Sequence, residues 1–183
     1  MREVLTYRLP DATQVTLRPA TPDDAAAIIA AVRSRSEERS YVLMDIYGKD
    51  AAAERAYLER LDRGRNLFLV ATVDGAVVGI LALLDMPLCR GAVQTLAAGV
   101  HLVSGWRGRG IGSAMLRYGL RWAAAHGFAA VAADLFTTNE RSLHLFRKAG
   151  FREEACQRRA VRVGAGAISE VILVRRLAAA ARA

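Results

Sequence analysis

Apolar residues run in short blocks punctuated by Gly, Pro and Asp, and their spacing sets out the elements one after another. Val4 to Leu9 and Gln14 to Arg18 have strand composition on either side of the turn-like Pro10-Asp11-Ala12. Thr21-Pro22-Asp23-Asp24 supplies an N-cap, a proline at N1 and first-turn acids, which predicts a helix from Pro22 to about Arg33. Ser34 to Lys49 has no clean period, whereas Asp50 to Leu61 puts Ala53, Tyr57 and Leu61 at helical spacing ahead of Gly64. Leu67 to Val73 and Ala76 to Leu84 are apolar runs joined by Asp74-Gly75, a dipeptide suited to a two-residue type I′ hairpin.

Gln94 to Val103 is a further strand. Gly110 to His126 is a helix with Ile111, Ala114, Met115, Tyr118 and Trp122 on one face, ended by Gly127. Phe128 to Phe136 returns as a buried strand and Asn139 to Ala149 as a short helix stopped by Gly150. Phe151 to Arg162 and Ala167 to Leu177 are two last strands around Gly164-Ala165-Gly166. The order β-β-α-α-β-β-β-α-β-α-β-β mixes hairpins with crossovers. It predicts an α+β fold with a mixed, mostly antiparallel sheet and helices on both faces, not a doubly wound parallel sheet.

With 183 residues, 53% of them hydrophobic, and no repeat or linker, the chain is expected to be one domain with a frayed tail from Ala178 to Ala183. Such a length buries enough surface to do without metal or disulfide staples. No stretch approaches the roughly 20 apolar residues of a membrane span. Met1-Arg2-Glu3-Val4 lacks the features of a secretory signal, so a cytoplasmic location is expected, with Cys89 and Cys156 as free thiols. Neither these cysteines nor the scattered His101, His126 and His144 have metal-ligand spacing, and no metal is expected. The net charge of +8 is carried almost wholly by arginine, Lys49 and Lys148 being the only lysines. Guanidinium suits bidentate contact with phosphate, on a nucleic acid or on a phosphorylated cofactor, although a solvated surface accounts for most of these side chains.

The most informative segment is Val100-His101-Leu102-Val103-Ser104-Gly105-Trp106-Arg107-Gly108-Arg109-Gly110-Ile111-Gly112-Ser113, a strand, a glycine-rich turn and the opening of a helix. Glycines let a ligand approach the backbone, the first N–H groups of the helix are unpaired, and Arg107 and Arg109 add charge beside a helix N-terminus that already favours anions. This predicts a phosphate site. A dinucleotide fingerprint with Ser113 in place of the third glycine and Asp134 on a ribose is disfavoured. The motif starts past the midpoint, and beyond the helix it opens only one more follows. No Gly-Lys-Ser/Thr sequence is present, which excludes a P-loop.

Arg107-Gly108-Arg109-Gly110-Ile111-Gly112 resembles the Gln/Arg-x-x-Gly-x-Gly/Ala signature of the GNAT superfamily of acyl-CoA-dependent N-acyltransferases. Asn139 to Phe151 resembles that family's Asn-x-x-(Ala/Ser)-x-x-Leu-Tyr-x-x-x-Gly-Phe segment. The resemblance spans roughly Gln14 to Leu177. It implies a GNAT-like central sheet of about seven strands and acetyl-CoA as donor. A splayed strand would offer main-chain groups at Leu102 and Val103 to the pantetheine. The pyrophosphate would sit on the turn formed by Arg107, Gly108, Arg109, Gly110, Ile111, Gly112 and Ser113. Asn139 would contact the cofactor arm while also capping its helix, and the Phe146 ring would pack on that arm or in the core.

Two departures from the family pattern bear on mechanism. Phe146 stands where a tyrosine often protonates the departing thiolate, and Ala97 stands where a glutamate often serves as base. A thiol of pKa about 8.5 leaves at pH 7 at a cost of about 2 kcal/mol, so losing the acid slows transfer without abolishing it. Deprotonating a lysine-like amine costs roughly 4–5 kcal/mol at pH 7 and an α-amine only about 1, so a weak base favours a low-pKa amine. Glu38, with Glu37 beside it, and His101 are the candidate proton acceptors; Ser104, His144 and Tyr118 are weaker ones.

The expected activity is direct transfer from acetyl-CoA to a primary amine of a small molecule or a peptide N-terminus, without an acyl-enzyme on either cysteine. Acceptor contacts would come from Ser34 to Lys49, with Glu37, Glu38, Tyr41, Asp45 and Tyr47, and from the Gly164-Ala165-Gly166 turn. The alternative is a non-catalytic acyl-CoA-binding module or sensor. A nucleic-acid partner is disfavoured because no zinc-finger, RNP or helix-turn-helix signature occurs. A homodimer is left open, and no membrane partner is expected.

Overall fold

The computed structural model describes residues 3–36, 50–85, 94–163 and 166–177, which hold the elements in the order expected. β1 (Leu5–Arg8) and β2 (Gln14–Pro19) are followed by a 3-10 turn at Pro22–Asp24, α1 (Ala25–Ser36) and α2 (Ala51–Arg60). β3 (Leu67–Val73), β4 (Ala76–Asp85) and β5 (Thr95–Leu102) lead to α3 (Ile111–Ala125) and β6 (Ala130–Phe136). α4 (Glu140–Lys148), β7 (Arg152–Val163) and β8 (Gly166–Arg176) complete the chain. Glu37, Glu38, Tyr41, Asp45, Tyr47, Cys89, the Gly164-Ala165 part of the last turn and the tail from Ala178 lie outside the described residues.

The eight strands form one sheet in the order β1-β2-β3-β4-β5-β6-β8-β7. That is one strand more than the seven or so of the family resemblance, and it matches the number in the element order. Every neighbouring pair is antiparallel except β5 with β6. Asp74 and Gly75 both take positive φ, 48° and 81°, with Val73 opposite Ala76, so the β3–β4 connection is the two-residue turn expected.

Each face of the sheet carries its own apolar cluster. On one face Leu81, Leu83 and Leu96 pack with Met115, Leu116 and Trp122 of α3 and with Leu143 and Phe146 of α4. On the other, Phe68, Val70 and Ile80 meet Ile28 and Ala31 of α1 and Leu58 of α2. α3 approaches β4 closely because Gly119 has no side chain, and a Cβ there would lie 2.7 Å from Leu81. Burial of these side chains at roughly 25 cal/mol per Å² holds both helical layers to the sheet.

The feature that positions the site is the brief pairing of β5 with β6. Only Thr95, Leu96 and Ala97 of β5 face partners, namely Ala130, Val131 and Ala132. Beyond them β6 runs on against β8 as far as Phe136 opposite Glu170, while β5 follows β4 as far as Leu102 opposite Gly79. The two strands therefore splay, and one edge of β5 from Ala98 to Leu102 is left without a ladder.

Candidate active site

The splay decides which backbone groups of β5 are available. In an antiparallel pair, alternate residues exchange both hydrogen bonds with the partner strand and those between them point away. The Val103 N–H donates to the Val78 carbonyl at 3.0 Å, so Val103, His101 and Gly99 turn their backbone to β4. Ala98, Val100 and Leu102 turn theirs to the splayed edge. The Leu102 carbonyl accepts from Arg107 Nε at 3.0 Å, which ties the glycine turn to the strand and leaves the Leu102 N–H facing the gap. Val103 contributes no free backbone group, since its carbonyl also accepts from Trp106 at 2.9 Å.

Beyond a 3-10 turn at Ser104–Trp106, the glycine turn enters α3 through Gly108 and Gly110 at φ 75° and 85°. No atom lies within 4 Å of a Cβ placed on either, so the turn is open to a ligand. Gly110 is an N-cap without a side-chain cap, and the first helical bond runs from Ala114 N–H to the Gly110 carbonyl. The N–H groups of Ile111, Gly112 and Ser113 thus lack a helical acceptor, the arrangement that binds anions at helix starts.

Turn, splayed strand and α4 enclose a cleft of about 1200 Å³. Leu102, Arg107, Gly108, Gly110, Gly112, Ser113 and Asn139 of the expected cofactor residues line it. Asn139 also caps α4, its Oδ1 accepting from the Ser142 N–H at 3.2 Å, which commits the carbonyl end of the amide to the helix.

Other expected site residues lie elsewhere. Phe146 does not line the cleft; it is 1% exposed, its ring edge-on to Phe151 at 4.9 Å, so it is a core aromatic. Arg109 also turns away from the cleft, ion-paired with Asp11 of the β1–β2 turn and with its guanidinium 4.8 Å over the Trp106 ring. Ile111 sends its side chain into the core and keeps only its backbone at the turn. Along β5, Ala98, Val100 and Leu102 pack toward α3 and Val103 toward α1 and α2, so alternation puts His101 on the latter face, one residue from Leu102.

Among the weaker candidates, Ser104 and His144 line the cleft. Tyr118 is buried, its hydroxyl donates to the Glu3 carbonyl at 2.7 Å, and burial pushes its pKa up. Cys156 is exposed on β7 and is not among the cleft residues. Sequence reasoning passed over Arg141, Ser142, Leu145 and Lys148, which all line the cleft. Their helical spacing along α4 was the available signal.

Residues 31–151 match the model of the acetyltransferase (GNAT) family. The chain belongs to that family. No curated protein sequence matches it. Among solved structures it is similar to a GNAT-family acetyltransferase from Streptococcus pneumoniae, at 20% identity and a TM-score of 0.82 over 90% of this chain and 99% of the other. A Salmonella typhimurium protein holding its cofactor acetyl-CoA aligns at 20% identity and a TM-score of 0.81, covering 92% and 96%. A ribosomal-protein-alanine N-acetyltransferase from Brucella melitensis aligns at 23% identity and a TM-score of 0.78, covering 88% and 99%. At these identities the three likenesses establish the fold. Family membership makes the chain an acetyltransferase that uses acetyl-CoA as donor, and the non-catalytic alternative gives way to it. The glycine turn, the uncapped start of α3 and the open edge of β5 fit that donor's pyrophosphate and arm.

Proposed function

We propose that this GNAT acetyltransferase moves the acetyl group of acetyl-CoA to a primary amine of a small molecule or a peptide N-terminus, by direct attack of the amine on the thioester. The observation that carries this reading is the Leu102 N–H on the splayed edge of β5, in one cleft with the uncapped start of α3. The N–H groups at Ile111 to Ser113 and the Arg107 guanidinium hold the pyrophosphate, and the Asn139 amide meets the cofactor arm. Arg109 and Trp106 brace the turn from outside the cleft, and Val103 and Phe146 support the strand and α4 by packing. The donor supplies an activated acyl group. The Leu102 N–H donates to the thioester oxygen as negative charge builds on it, an interaction that strengthens toward the transition state.

Phe146 has no proton to give, so the thiolate leaves unassisted or with a proton from water. Glu38 or His101 accepts the amine proton, His101 from the face of the sheet opposite α3. With such modest acid and base groups, an amine of low pKa is the best acceptor. No helix of the described residues is long and apolar enough to cross a membrane.

Thiol release across a panel of α-amino and ε-amino acceptors tests the reading. Turnover is expected to favour α-amines. Glu38→Gln or His101→Gln is expected to lower kcat/KM at least about tenfold, or 1.4 kcal/mol, at constant acetyl-CoA affinity. A Cys89→Ala, Cys156→Ala double variant should stay active, and loss of transfer in the folded double variant contradicts direct attack. Cofactor binding without thiol release from any amine would reduce the chain to a binding module.

A further inference from the structure

On α4, Arg141, Leu145 and Lys148 stand at i, i+4 and i+7, one stripe of the helix, and all three line the cleft. Leu145 fixes where that stripe sits. Its Cδ2 lies 3.3 Å from the position of a Cβ on Gly112, so the middle of α4 rests against the first turn of α3. Arg141 therefore comes about one turn before this contact and Lys148 about one turn after it, roughly 10 Å apart along the axis.

Neither cation is explained by the fold. Arg141 occupies the first turn of α4, where the helix dipole disfavours positive charge. Neither residue forms an ion pair among the described residues, whereas on the same helix Arg147 meets Glu153 at 3.5 Å. Among the described residues Glu140 is the one carboxylate lining the cleft, against Arg107, Arg141 and Lys148. The start of α3 and Arg107 already supply what a pyrophosphate needs, so the two cations of α4 form a second cationic locus beside that start. CoA has a phosphate besides its pyrophosphate, the dianionic group on the ribose 3′ oxygen.

We infer that Arg141 and Lys148 bind the 3′-phosphate of the donor and select CoA thioesters over their 3′-dephospho forms. The inference rests on the placement of the pyrophosphate at the start of α3. Arg141 supplies a bidentate fork and Lys148 a mobile point charge, a pair that suits a phosphate at the cleft mouth.

The test measures the Kd of acetyl-CoA and of acetyl-3′-dephospho-CoA by calorimetry, for the wild type, Arg141→Gln, Lys148→Gln and the double variant. The wild type is expected to bind acetyl-CoA at least about tenfold more tightly than the dephospho donor, and the double variant to bring the two within about twofold by weakening acetyl-CoA alone. Equal wild-type affinity for the two donors overturns the inference while leaving the acetyl-CoA site intact. Equal weakening of both donors in the variants also overturns it and moves the stripe to the pyrophosphate. Failure of the wild type to bind either donor overturns both the inference and the placement of the cofactor. Both residues are exposed, so the variants should fold, and an unchanged Tm verifies it.

Discussion

The starts of α1 and α3 lie on opposite faces of one sheet and treat their unpaired N–H groups in opposite ways. Ahead of α1, the Asp24 carboxylate takes the Thr21 N–H at 2.7 Å and is gripped by both terminal nitrogens of Arg18 at 2.7 Å each. Charge and donors there are consumed within the chain, and the group is mostly buried. The other two helix starts follow the same pattern, with Asp50 Oδ1 accepting from the Ala53 N–H at 2.8 Å and Asn139 capping α4. Among the described helices α3 alone begins at a glycine without a side-chain cap, and it begins at the cleft. A helix start completed from within serves the fold, whereas one left incomplete beside an open strand edge is, in the function proposed above, completed by the donor's phosphates.

The largest expected effect comes from blocking the incomplete start. Gly110→Val puts a β-branched side chain at a φ of 85° in the turn and should weaken acetyl-CoA binding by about a hundredfold or more, some 2.7 kcal/mol. Calorimetric affinity near the wild-type value in a folded variant would break the comparison at its functional side.

Asp24→Asn attacks the completed start. Loss of the charge-assisted pair with Arg18 should destabilise the fold by about 1–3 kcal/mol in chemical denaturation, with acetyl-CoA affinity of the folded fraction unchanged. Burial raises the Asp24 pKa, but the Arg18 and Thr21 hydrogen bonds outweigh it and hold the carboxyl below its ordinary value. Its contribution is therefore complete above the unfolded value of about 3.9 and fades as pH falls through the lower folded value. In Asp24→Asn that part of the acid dependence should be missing from the unfolding free energy measured against pH.

Hydrophobic period and turn residues located every strand and α-helix of the described residues, because these elements record their buried face in local spacing. The glycine turn was legible for the same local reason, its conformation and its charge lying within a few residues. The splay was not, since β5 leaves β6 after Ala97 through the course of two other strands, which the composition of β5 does not record. Arg109 was misplaced because its partner Asp11 is 98 residues away. Local sequence leaves Phe146 open between the cofactor arm and the core, because its contact with Phe151 depends on how α4 docks.

Two caps separate stability from binding at about 1 kcal/mol. Asp50→Ala and Asn139→Ala should each cost about 0.5–2 kcal/mol of stability. Only Asn139→Ala should also weaken acetyl-CoA, by about three- to tenfold, because only that cap lines the cleft. Equal donor affinity in the two variants would limit Asn139 to capping. Asp11→Asn should have the smallest effect, less than about threefold on donor affinity, since the Arg109 it releases lies outside the cleft and pairs in solvent.

In the proposed function the amides of Leu102, Ile111, Gly112 and Ser113 receive the donor. Amide NMR of labelled protein titrated with acetyl-CoA tests it residue by residue. Those four N–H signals are expected to show the largest shifts, while Ala53 at the capped start of α2 stays in place. Saturable binding that leaves all four signals unmoved, or that shifts Ala53 as much as Gly112, would contradict the account.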